Sequence, residues 1–269
     1  MVFEHFAAAG YHEPLGTMYK KAIFTFLDIL GFRQLVHKSP PEEVYESLSK
    51  FHYHTKDKLG GFGDTTNPGD LRVLMFSDSI VRARFVDPDS DLFLREGDLS
   101  TEVFLLAYAQ GSLAEQGVLV RGALTCGEIY AEKNTLFGPA LNRAYDIESK
   151  IAKTSRIIID KDIFKDTEHK DSWLHHHRRF VSQDKDGEYF IDYLKGMDQI
   201  IYEDEGSAKY FSKHNQTVIN LEIAAETDAR LKEKSAWLRN YHENVASEEP
   251  LSYEELILLF QSDQLLKNP

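Results

Sequence analysis

The sequence predicts an α+β fold. A sheet carries helices on one of its faces, in an order close to a split β-α-β arrangement, and a helical C-terminal extension follows. Three observations carry this. Short runs rich in β-branched and aromatic residues recur at 22–27, 71–76, 80–86, 118–125 and 156–159. Stretches of helical length and period separate all of them but the pair 71–76 and 80–86. From about 207 to 264 the pattern is helical throughout.

The elements follow in order. Residues 1–18 show no clear period and read as an arm. The run 22–27 is apolar except for one threonine and suits a strand buried on both faces. It ends at Asp28. Gly31 follows, then a helical stretch that Pro40 and Pro41 interrupt, and Glu42 and Glu43 suit the first turn of a second helix reaching about 58. A glycine-rich loop spans 59–70. Runs 71–76 and 80–86 read as a hairpin turning at Ser77-Asp78-Ser79, with Arg82 and Arg84 on one face and Val81, Ala83 and Phe85 on the other. The shared apolarity of 22–27 and 71–76 predicts that those two strands are neighbours in the middle of the sheet. Ser100 or Thr101 caps a helix to about 116. Run 118–125 is a central strand and 128–132 its partner. A loop at 133–138, a helix at 139–152, a strand at 156–159 and a hairpin at 179–193 complete the sheet.

Composition narrows the function. Hydrophobic residues make up 42% and charged residues 28%, the balance of a soluble globular protein. The net charge of −13 argues against a broad nucleic-acid face, because the field of the whole molecule repels phosphate backbones. No apolar run reaches the length of a membrane span. The single cysteine, Cys126, permits no internal disulfide, and the start Met1 to Pro14 lacks the basic, then apolar, pattern of a signal peptide. The expected location is cytoplasmic.

Asp28 stands where a buried strand stops, as a helix cap or a ligand. Asp78 stands at a hairpin tip, as a turn former or a ligand. If their strands are neighbours, both carboxylates emerge at one sheet edge, and two such charges repel unless cations lie between them. Two divalent metals would resolve this and suit in-line phosphoryl displacement. Gly31, in the segment Ile29-Leu30-Gly31-Phe32, would let backbone approach a phosphate. His175-His176-His177, beside Arg178 and Arg179, reads as a solvated loop rather than a metal site. Cys126 reads as a packed small side chain.

Four ordered blocks carry a resemblance to class III nucleotide cyclases. Phe26-Leu27-Asp28-Ile29-Leu30-Gly31-Phe32 resembles their first metal motif, Phe-x-Asp-Ile-x-Gly-Phe. Phe76-Ser77-Asp78-Ser79 is similar to their second metal hairpin, with serine for the usual glycine. Val120-Arg121-Gly122 through Gly127-Glu128 resembles the later Arg-x-Gly strand pair, and Phe137-Gly138-Pro139-Ala140-Leu141-Asn142 resembles the helix opening that follows it. The resemblance spans about residues 20 to 195. It implies a ferredoxin-like palm domain at 19–198, with 199–269 as a helical extension packed on it. It also implies two magnesium or manganese ions held by Asp28, Ile29 and Asp78, a nucleoside triphosphate as substrate, and a homodimer with shared sites in which Asn142 orients the ribose.

Two positions depart from the purine cyclases. Leu74 replaces a base-reading lysine, and Asp146 replaces an arginine that stabilises phosphate charge. Arg121 and Arg143 are candidate substitutes, and Thr135 matches a second base-reading position. Leu74 with intact metal aspartates resembles the pyrimidine cyclases of bacterial Pycsar anti-phage systems. Those convert UTP, or less often CTP, to a cyclic nucleotide that acts on a separate effector protein. Tyr45 and Tyr53 are candidates to stack on the smaller base. A purine cyclase with an altered pocket, and a nucleotide-binding domain without turnover, are the alternatives.

Overall fold

The computed structural model describes residues 18–55 and 71–248, except 88, 95, 96, 133, 166, 202 and 203. The expected arm, the glycine-rich loop and the helical pattern after 248 lie outside the described residues. The chain runs β1 (Lys20–Ile29), α1 (Phe32–Lys38), α2 (Pro41–Thr55), β2 (Leu71–Phe76), β3 (Ser79–Phe85), α3 (Asp98–Ala114), β4 (Val120–Glu132), β5 (Thr135–Phe137), α4 (Pro139–Lys150) and β6 (Ile157–Ile159). It continues through α5 (Lys170–His176), β7 (Val181–Gln183), β8 (Tyr189–Ile191), α6 (Tyr193–Ile200), α7 (Asp204–Thr227) and α8 (Ala229–Ala246).

This is an α+β fold on a mixed sheet. Seven strands lie in the order β2-β3-β1-β4-β6-β8-β7, and β5 folds back on the end of β4. All pairs are antiparallel except β4 with β6, whose parallel register needs the crossover that α4 supplies.

β1 shows why the layers form. Ala22 through Leu27 are all buried, so both faces of this strand are covered. Thr25 donates to Glu102 of α3, while the adjacent Phe26 ring meets Tyr145 of α4 edge-on at 5.8 Å. Adjacent residues of a strand point to opposite faces. Helices therefore cover both sides of the sheet, not the single side expected. On the α3 side, Ile23, Leu27, Ile80 and Leu124 pack with Leu99, Val103 and Leu106, and Phe51 of α2 joins them. On the α4 side, Phe24, Phe26, Val81 and Ala123 pack with Ala140, Ala144 and Ile147.

The strand neighbours also differ from expectation. β3, not β2, lies beside β1, and β2 is an edge strand whose Met75 and Phe76 are 41% and 50% exposed. Arg82 and Arg84 disguise β3 as a surface strand, yet both are buried because Glu102 neutralises them. The runs 118–125 and 128–132 form one continuous strand rather than a hairpin. Gly127 is not a turn residue, and a side chain there would press on Ala140 of α4 at 3.3 Å. α3 starts at Asp98 behind Gly97, so neither Ser100 nor Thr101 caps it; Ser100 instead accepts from the Trp173 indole at 3.1 Å. The segment expected as a loop at 133–138 contains β5.

α7 and α8 pack on each other and on the core. Tyr210 and Thr217 of α7 donate to the Gly111 and Ala114 carbonyls of α3. Gln34 of α1 donates to Asp228, which caps α8 by accepting from Arg230 N–H. No described helix is long and apolar enough to cross a membrane.

Candidate functional site

Pairing register decides what stands beside Asp28. In an antiparallel ladder, residues directly opposite share a face. Asp28 lies opposite Ser79 on β3 and Arg121 on β4, so three strands deliver a hydroxyl, a carboxylate and a guanidinium to one line on the α4 side. Ser79 Oγ donates to Asp28 Oδ1 at 3.2 Å, and Arg121 Nη2 lies 3.4 Å from Asp28 Oδ2. β4 can approach this closely because Gly122 has no side chain: a Cβ there would sit 2.2 Å from the Phe26 carbonyl oxygen.

Asp78 arrives by a different route. It sits in the β2–β3 turn, where Ser77 takes a left-handed φ of 57°. Such a φ is usual in tight hairpin turns. The Ile29 N–H donates to the Asp78 carbonyl at 3.1 Å, which pins the turn to the end of β1. Both aspartates therefore reach one edge of the sheet, although β2 and β1 are not neighbours.

The site also contains Glu148, which was not anticipated. It projects from the buried side of α4 and lies 2.7 Å from Arg121 Nη2, an ion pair without hydrogen-bond alignment. Its signal was available: Ala140, Ala144 and Ile147 mark the buried stripe of α4, and Glu148 falls on it.

Asp28 and Glu148 thus share one guanidinium, and Asp78 adds a third negative charge within electrostatic reach of both. Burial, then Asp78, then Glu148 push the Asp28 carboxyl up from 3.8 to about 6, against the pull of Arg121 and Ser79. Burial likewise raises Glu148, with Arg121 opposing and Asp78 adding to the rise. The cluster is short of positive charge, and a divalent cation would supply it. Among the described residues no group of three or more His, Cys, Asp or Glu side chains is arranged to hold a metal alone. Two carboxylates completed by water and phosphate oxygens match how magnesium is commonly held.

The remaining expected residues divide. The N–H groups of Ile29 and Leu30 are engaged by Asp78 and Leu119 carbonyls, so they cannot receive phosphate as expected. Gly31 has φ 84° and opens the short α1 with Phe32. Asn142 is exposed on α4, about 9 Å along the helix from Glu148. Thr135 is exposed opposite Glu132, roughly 35 Å along β4 from Arg121. Arg143 is bound to Asp160 through Nε at 2.9 Å and Nη2 at 2.7 Å, away from Asp28, and Asp146 pairs with Lys150. Tyr45 and Tyr53 are both 73% exposed on α2, which packs on α3, the side of the sheet opposite Asp28. Phe76 and Tyr145 are nearer aromatic groups. They flank Phe26 at 6.5 and 5.8 Å on the α4 side and are half exposed, with half-buried Leu74 next to Phe76 along β2.

His175-His176-His177 is not a loop. The first two end α5, and His177 is buried, stacked 4.2 Å from the Trp173 ring with Nδ1 on the Trp173 carbonyl. Cys126 is half-buried, and burial raises its thiol pKa, as suits a packed and unreactive side chain. No protein-family model matches this chain, and no curated protein matches it.

Proposed function

We propose that this chain is a class III-type nucleotide cyclase that converts a pyrimidine nucleoside triphosphate, UTP in preference to CTP, to its 3′,5′-cyclic nucleotide and pyrophosphate. One observation carries the reading. The strand register sets Asp28 opposite Ser79 and Arg121, and a backbone hydrogen bond ties the Asp78 turn to the same strand end. A cap and a turn former have no reason to converge with Glu148 at a site that raises the pKa of Asp28 to about 6.

In this reading the ribose 3′-oxygen bonds to the α-phosphorus, the bond from that phosphorus to the bridging oxygen breaks, and the hydroxyl proton is released. Asp28 and Asp78, with Ile29 beside them, would hold two magnesium or manganese ions, which supply Lewis-acid stabilisation of the attacking and leaving oxygens. Arg121 is the guanidinium nearest that centre, and Glu148 orients it. Asn142 would serve the site of a partner chain, so the active form would be a homodimer. Leu74 offers no hydrogen bond to a purine, and Phe76 and Tyr145 give an aromatic surface on the same side as Asp28. The cyclic product would act on a separate effector in anti-phage defence.

A nucleotide-binding domain without turnover is favoured by one feature: α4 presents Asp146 where a cation would serve, and Arg143 is held by Asp160. A single assay separates the readings. The purified chain is incubated with ATP, GTP, CTP and UTP in turn, with magnesium or manganese, and products are identified by mass. Cyclic UMP is expected, with loss of turnover in Asp28→Ala and Asp78→Ala. Cyclic AMP or cyclic GMP as the main product would remove the pyrimidine assignment, and no cyclic product would remove the enzyme.

A further inference from the structure

A second feature adjoins this site. A cavity of about 480 Å³ opens between α1 and the start of α8, and Gly31 is part of its wall. Arg33, His37 and Lys38 line it from α1, and Arg230 and Lys234 line it from α8, against the single carboxylate of Asp228. In a chain of net charge −13 this is a local reversal of sign. Asp228 is committed to Arg230, to Gln34 and to the α8 backbone. Arg33, His37, Lys38 and Lys234 make no ion pair with any described residue. Nothing in the packing of the two helices requires three cationic side chains, Arg33, Lys38 and Lys234, to line one cavity without an ion pair.

Lys234 connects the cavity to the carboxylates. Burial lowers its pKa, Arg121 and Arg230 lower it further, and Asp228 and Asp28 oppose them. It therefore lies within electrostatic reach of both Asp28 and Arg121.

We propose that Lys234 of α8, together with Arg33 and Lys38 of α1, forms a polyphosphate-binding subsite that holds the pyrophosphate end of the substrate beside Asp28. This rests on the reading of the chain as an enzyme of nucleoside triphosphates. It assigns the C-terminal extension a part in the site: the β- and γ-phosphates lie in the cavity, and the α-phosphate lies at Asp28 and Arg121. The missing cation of α4, at Asp146, is thus replaced from the same chain by a helix that follows the sheet. A polyanion fits the cavity better than a single phosphate, because its cations come from two helices rather than one point.

The test uses inorganic tripolyphosphate, with sulfate as control, titrated calorimetrically into the full chain. Wild type is expected to bind tripolyphosphate and not sulfate. Lys234→Gln and Arg33→Gln are each expected to weaken binding roughly tenfold, equivalent to about 1.4 kcal/mol, with Lys234→Arg near wild type. Circular dichroism confirms that each variant is folded. In turnover, Lys234→Gln is expected to raise KM for the triphosphate with little change in kcat. Absence of tripolyphosphate binding by wild type, or unchanged binding in both Gln variants, would overturn the subsite. Binding that depends on Lys234, without cyclic product from any nucleotide, would keep the subsite and remove the cyclase. Cyclic product with an unaltered KM in Lys234→Gln would do the reverse.

Discussion

At the scale of single residues, Asp28 carries an electrostatic cost. Its folded pKa of about 6 exceeds the ordinary 3.8, so the native state holds the proton more tightly than the unfolded chain does. The contribution of this group to stability is therefore full below about pH 4 and is lost as pH rises through 6. Asp28→Asn is expected to raise the thermal midpoint at about pH 8, with the gain shrinking to nothing near pH 4. Magnesium should raise the wild-type midpoint and leave the variant unchanged, which calorimetric scans at two pH values would check. A lower midpoint for the variant at the higher pH would refute the account. Asp28 and Asp78 were each legible from a strand end and a hairpin tip, but the neighbour relation that paired them was not: β3 lies between β1 and β2, and the Ile29 N–H bond to the Asp78 carbonyl joins them instead. Tyr45 and Tyr53 stand on the side of the sheet away from Asp28, a placement not legible in advance because helical sequence does not say which side of the sheet a helix will cover. Phe76 and Tyr145 were visible only once Phe26 was seen between them.

At the scale of elements, β3 is the clearest case. Glu102 of α3 receives Arg82 Nε at 2.7 Å, Arg82 Nη2 at 3.1 Å and Arg84 Nε at 3.2 Å in a buried cluster. Burial acts to raise the Glu102 pKa, but Arg82 and then Arg84 overcome it and hold the group down to about 2. This stabilisation is present above about pH 4.5, the ordinary glutamate value, and is lost as pH falls towards 2. Glu102→Gln leaves two buried guanidiniums without a full counter-charge and is expected to cost about 3–5 kcal/mol in urea unfolding at neutral pH. The variant should also lose the pH dependence of that window. The cluster explains why the strand order could not be read correctly. Two arginines mark a strand as solvated unless a partner 18 to 20 residues on is known to meet them. The helices at 41–55 and 139–150 were legible because proline and glycine mark their starts.

At the scale of the whole molecule, one protomer holds Asp28 and Asp78 together but leaves Asn142 on an exposed helix face. A shared-site dimer makes a specific demand. Asp28→Ala and Asn142→Ala, each inactive alone, should recover about a quarter of wild-type activity when mixed at equal amounts and allowed to exchange, since half of the dimers carry one intact site. Sedimentation alongside the activity assay would show whether mixed dimers form, and no recovery despite mixing would place both residues in one protomer's site. The same scale governs α7 and α8. Their sequence reads as a helical tail, and only their packing brings Lys234 within reach of Asp28 and Arg121.

The sequence by itself determined the α+β class and the two aspartates at the ends of their elements. These depend on local pattern. Tertiary structure decided the rest. It placed β3 beside β1, joined Glu148 to Arg121, engaged the Ile29 and Leu30 amides, and turned an acidic tail into a source of cations beside the carboxylates. Each of these depends on pairing register or on the contact of distant elements, and neither is encoded in the period of any one segment.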